Sequence, residues 1–143
     1  MKNLFLFYLL FVTICFAEDK FVSTRSNEVN VRTGPNEEYP IKFVYQLKHV
    51  PLLVLGEYEN WYKIKDKDGE EGWLNKNLTT SKRHLIVVGE GEQTIYKSDN
   101  FKKPIAKAEE NVILEFVKCN FKWCKIKVKN ITGWIEVEKV WGI

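Results

Sequence analysis

The chain says nearly the same thing twice. Residues 60–65 read Asn-Trp-Tyr-Lys-Ile-Lys, and residues 122–127 read Lys-Trp-Cys-Lys-Ile-Lys. A Gly-Trp pair follows each, at Gly72-Trp73 and Gly133-Trp134, and a Pro-Ile pair precedes each, at Pro40-Ile41 and Pro104-Ile105. The offset is 64 from Pro40 to Pro104, 62 from Trp61 to Trp123 and 61 from Gly72 to Gly133. Three landmarks in one order at a near-constant offset predict two copies of one small fold. A unit of roughly 60 residues buries only about 60% of its unfolded surface and is marginal alone, so the two units are expected to lean on each other.

Within each unit the hydrophobic period is that of strands. Tyr62 and Ile64 share one face, while Trp61, Lys63 and Lys65 share the other. In the second unit Cys124, Ile126 and Val128 take the first face, and Trp123, Lys125 and Lys127 the second. Turn-forming clusters recur at Thr33–Asn36, Lys48–Pro51, Glu57–Asn60 and Asp66–Gly69. Asp68-Gly69 favours the positive φ angles of a tight hairpin, whereas the matching turn at Lys129-Asn130 has no glycine. About five short strands per unit, with one long irregular loop early on, predict an all-β fold of two tandem five-stranded barrels. The expected boundaries are 18–80 and 81–143, with the seam in the polar stretch from Thr79 to His84. The apolar Trp141 is expected to dock on a barrel or between the two.

Residues 1–17 read as a secretory signal. Lys2 supplies a basic start, Leu4 to Phe16 an apolar run, and Ala17 a small residue before Glu18-Asp19. The run is shorter than the ~20 residues a membrane span takes. The expectation is an exported protein, periplasmic or associated with the cell envelope, without a stable span after cleavage; retention of the segment as an anchor is the alternative. Export suits the cysteines. Cys119 and Cys124 flank Asn120–Trp123, which has the look of a hairpin loop, and an oxidising compartment permits a bridge between them. Two reduced core cysteines are the other reading.

Charge and composition exclude several function classes. A net charge of +3, or +2 once Lys2 is lost, with lysines alternating among apolar residues, does not suit a nucleic-acid binder. Catalysis is not expected. His49 and His84 lie beside turn and seam residues and read as surface groups, far from a paired Cys119 and Cys124. Two cysteines and two distant histidines form no recognisable zinc set, and Gly89 and Gly91 form no phosphate loop, so neither metal nor cofactor is implied.

The segment Val29-Asn-Val-Arg-Thr-Gly-Pro35, followed by Trp61-Tyr-Lys-Ile and Gly72-Trp73-Leu74, resembles the bacterial SH3-like domain. The second unit departs at the first element, with Thr94-Ile-Tyr-Lys-Ser-Asp99, but keeps Trp123-Cys124-Lys-Ile and Gly133-Trp134-Ile135. Together with Trp141-Gly142-Ile143 these features are similar to a tandem, exported subgroup of such proteins. The resemblance implies small five-stranded barrels that serve as targeting modules, often joined to peptidoglycan hydrolases and binding wall peptides. It also implies where a ligand would sit. Trp61 lies at the place that lines the peptide groove beside the long loop; Tyr39, Trp73, Trp123 and Trp134 are the further candidates. Each of these rings could instead cover a barrel end or the interface between units, and Arg32 is expected to brace the loop. The function expected is a non-catalytic binding module recognising a cell-wall peptide or an envelope protein. The alternative is a structural accessory subunit of a larger envelope complex.

Overall fold

In the computed structural model the described residues are 12–14 and 17–143, so the expected signal, residues 1–17, lies almost wholly outside them. The fold is all-β. The first unit comprises β1 (Phe21–Thr24), β2 (Val29–Arg32), β3 (Ile41–Tyr45), β4 (Pro51–Tyr58), β5 (Trp61–Lys65), β6 (Glu71–Asn75), a 3-10 turn at Lys76–Leu78 and β7 (Thr79–Thr80). The second comprises β8 (His84–Val87), β9 (Gln93–Tyr96), β10 (Pro104–Ala108), β11 (Ile113–Cys119), β12 (Trp123–Val128), β13 (Ile131–Glu136), a 3-10 turn at Val137–Lys139 and β14 (Val140–Trp141).

The two sheets have one topology. The orders are β3-β2-β6-β5-β4-β1-β7 and β10-β9-β13-β12-β11-β8-β14. Pairing is antiparallel throughout, and even an irregularity is shared. The β4–β5 register slips between Val54 and Gly56, and the β11–β12 register slips between Phe116 and Lys118. Seven strand segments stand where about five were expected, because each unit also pairs its first strand with a two-residue strand after the 3-10 turn.

Period-2 patterning fills each core. Val22, Val29, Val31, Leu52, Ile64 and Leu74 close the first barrel. Leu85, Val87, Ile95, Leu114, Cys124, Ile126 and Ile135 fill the second. The glycine of each Gly-Trp pair is needed for close approach. A Cβ on Gly72 would overlap Val31 Cγ1, and one on Gly133 would overlap Ile95 Cγ2 and the Tyr96 carbonyl. Gly69 turns the β5–β6 hairpin at φ 84°, while Lys129 takes φ 52° in the glycine-free counterpart.

Cys119 and Cys124 are joined by a disulfide across the paired ends of β11 and β12. Asn120 shapes the loop between them. Its Oδ1 accepts from the backbone N–H of Lys122 at 2.9 Å and of Trp123 at 2.7 Å.

The barrels are tied by a seam of aromatic and cationic groups. Trp141 of β14 meets Phe21 of β1 edge-on, with ring centroids 5.1 Å apart. Arg83 lies over Phe21 at 5.7 Å and over Phe116 at 4.4 Å, and its Nη2 donates to the Gly142 carbonyl at 2.6 Å. The histidines, which read as surface groups in the sequence, are seam residues instead. Their rings stack, and His84 is 5% exposed. Local patterning could not show this, because their burial comes from one barrel docking on the other.

Candidate functional site

The site is built on the outer face of each barrel, beside the long loop. In the first barrel register places Arg32 opposite Trp73 and Trp73 opposite Lys63, so these three share one face. In the second, Tyr96 pairs with Trp134 and Trp134 with Lys125. Lys118 and Lys125 lie over the Trp134 ring at 5.7 and 5.9 Å. Each barrel therefore sets a half-buried tryptophan among cations.

Trp61 and Trp123 point to that same face but are not solvent-facing. They are 8% and 4% exposed, although each shares its strand face with lysines, which alone would suggest an outward ring. The reason is clearest at Trp123. Tyr96 and Phe101 meet its ring edge-on, with centroids 5.6 and 4.9 Å away, and Phe101 comes from the loop after β9. Trp123 thus lies beneath Tyr96 and Phe101, and it is those two rings that line the groove. Alternation along β12 locates its face, whereas the covering ring is remote in sequence.

The two loops differ. In the first barrel the Tyr39 ring lies so close to Gly34 that any side chain there would overlap it. Arg32 Nη1 donates to the Tyr39 carbonyl at 3.0 Å, bracing the loop. Tyr39 remains 44% exposed and lines a cleft of about 210 Å³ with Asn36, Glu38 and Pro40. Trp73 lies in a neighbouring cleft of about 250 Å³ with Thr33, Lys42 and Lys63. In the second barrel the cleft is about 500 Å³, lined by Tyr96, Phe101, Pro104, Ile105 and Lys107 among others. Phe101 and Ile105, absent from the sequence candidates, stand 53% and 37% exposed there. The signal for Phe101 was an apolar residue amid the polar run Ser98–Lys103.

The structure therefore brings Trp123 and Trp134 onto one face beside Tyr96, and Trp61 and Trp73 onto the equivalent face of the first barrel, with Tyr39 in the adjoining loop. Among the described residues no group of three or more His, Cys, Asp or Glu side chains could hold a metal ion, and no helix is long and apolar enough to cross a membrane.

No curated protein matches the chain. Among solved structures it is similar to NlpC2 from Trichomonas vaginalis, with 13% identity, a TM-score of 0.40 and coverage of 89% of this chain and 49% of that one. An NlpC/P60 family protein from Bacillus cereus is 10% identical with a TM-score of 0.39, covering 85% and 55%. NlpC1 from Trichomonas vaginalis is 13% identical with a TM-score of 0.40, covering 87% and 46%. The chain spans about half the length of these proteins. The family model described as "Bacterial SH3 domain" matches residues 25–80 and again residues 99–142, most of both barrels, and the chain belongs to that family.

Proposed function

We propose that this protein is an exported, non-catalytic binding module of the bacterial cell envelope that holds peptidoglycan peptides against an aromatic groove. Bacterial SH3 domains are typically binding modules rather than catalysts, and the family match covers both barrels. The observation that carries the reading is the outer face repeated in each barrel, a half-buried tryptophan flanked by cations beside a loop-walled cleft. Aromatic rings offer contact area to an extended chain at small entropic cost, and polar groups around them fix its orientation. The disulfide accords with an extracytoplasmic setting.

Co-sedimentation with isolated peptidoglycan sacculi tests this directly. The purified protein is expected to pellet with sacculi, and Trp73→Ala together with Trp134→Ala to reduce that binding at least tenfold. Binding unchanged in the double variant would remove the groove assignment. A parent protein that stays in the supernatant while co-purifying with one envelope protein would favour the second reading, an accessory subunit held by protein contacts.

A further inference from the structure

The two barrels share a topology, but the loops beside their clefts carry opposite charge. The loop between β2 and β3 carries Glu37 and Glu38 and no lysine or arginine beyond Arg32. Its counterpart between β9 and β10 carries Lys97, Lys102 and Lys103 against one aspartate, Asp99. Lys122, across the groove, lies over Phe101 at 5.2 Å. Among the described residues Lys97, Lys102, Lys103 and Lys122 form no ion pair, while Lys107, which lines the cleft, holds exposed Glu92 at 3.3 Å. First-barrel lysines are neutralised more fully; Lys20 and Lys76 both hold Glu57, and Lys42 holds Glu70.

The backbone beside the second groove adds an edge that β3 also offers in the first barrel. β10 ends its sheet and pairs with β9 alone, so one edge of the strand presents N–H and C=O groups outward. Pro104, Ile105, Ala106 and Lys107 of that strand line the cleft. An exposed strand edge recognises an extended chain through main-chain hydrogen bonds, the aromatic floor gives contact area, and unpaired lysines select carboxylates.

The geometry points to the second barrel as the binding barrel, and to an extended peptide with free carboxylates, laid along β10 over Tyr96 and Phe101, as its ligand. This inference rests on the aromatic-groove reading above and adds which barrel binds and what chemistry it selects. The smaller first cleft, with Glu38 in its lining and Glu37 beside it, would not produce that selection.

A fluorescein-labelled peptide of alternating alanine and glutamate, and its glutamine counterpart, would be titrated with the purified protein at low salt. The glutamate peptide is expected to bind at least tenfold tighter. A Lys103→Glu and Lys122→Glu double variant should erase that difference, and Ile105→Ala should weaken both peptides by removing an exposed apolar side chain that lines the cleft. Circular dichroism would confirm that each variant is folded. Equal affinity for the two peptides, or a difference kept in the lysine variant, would overturn the inference. Sacculus binding measured alongside separates the two levels. If it persists in the parent while the peptides are not discriminated, only the carboxylate inference falls. If neither sacculi nor either peptide binds, the groove reading falls with it.

Discussion

His49 and His84 lie face to face across the seam, with ring centroids 4.2 Å apart and planes 20° from parallel. His84 Nδ1 is 3.1 Å from Ser23 Oγ and 3.2 Å from the Lys82 carbonyl, while His49 Nδ1 has no hydrogen-bond partner. Burial pushes the His84 imidazole down to about 4, His49 beside it adds to the shift, and the Lys82 carbonyl opposes it. Burial also lowers His49, helped by Lys48 and Lys82 and opposed by Glu115. Both rings are therefore neutral in the folded protein at pH 7. A depressed folded-state pKa means that the unfolded chain binds more protons over this range. The contribution to stability is complete above the unfolded value near 6.5 and is lost as pH falls toward 4. Melting should shift several degrees lower between pH 7.5 and 5, and the His49→Gln, His84→Gln double variant should flatten most of that dependence. A melting temperature independent of pH over this range in the parent would contradict the neutral stack.

Reducing the Cys119–Cys124 bridge should cost about 2 kcal/mol, because it closes only a short hairpin loop. Urea unfolding with and without reductant measures it. The paired Cys119→Ser, Cys124→Ser variant should lose more than reduction alone, since position 124 is fully buried and a hydroxyl there lacks the thiol's apolar character.

The tryptophans divide into two classes. Trp123→Ala should lower stability by about 3–5 kcal/mol, because the ring is packed by Tyr96 and Phe101 and its removal leaves a void. Trp73→Ala and Trp134→Ala, at half-buried positions, should cost less than half of that. Comparing denaturation midpoints of the three variants checks this ranking, and it decides which substitutions report on binding rather than on folding.

Gly72→Ala and Gly133→Ala should each destabilise their own barrel by about 1–3 kcal/mol, because a methyl group overlaps the neighbouring strand in both places. Gly56→Ala is the control. A Cβ there meets nothing within 4 Å, and its effect on the midpoint should be small.

Much of this architecture was legible in the chain. The repeated Trp and Gly-Trp landmarks predicted two barrels of one design, and the matched strand orders show that design. Alternation through Tyr62, Lys63 and Ile64 placed the core face, because a half-buried strand must alternate. What was not legible depends on parts remote in sequence. Phe101 covers Trp123 from another loop, so alternation alone left that ring facing solvent. His84 is buried where the two domains meet and His49 stacks on it, and no period within either one announces it. The two-residue strands β7 and β14 escaped the five-strand expectation because so short a run shows no period.

Phe21 opens the first strand, yet the ring it meets edge-on, Trp141, arrives only after nearly all of the described chain has been made. Synthesis runs from the amino end, so the first barrel can complete its own hydrogen bonds while that flank is still bare. A product cut short before Trp141 would lack the ring that packs on Phe21. Its Phe21 flank would be more open to solvent, and limited proteolysis would tell it from the chain that carries Trp141.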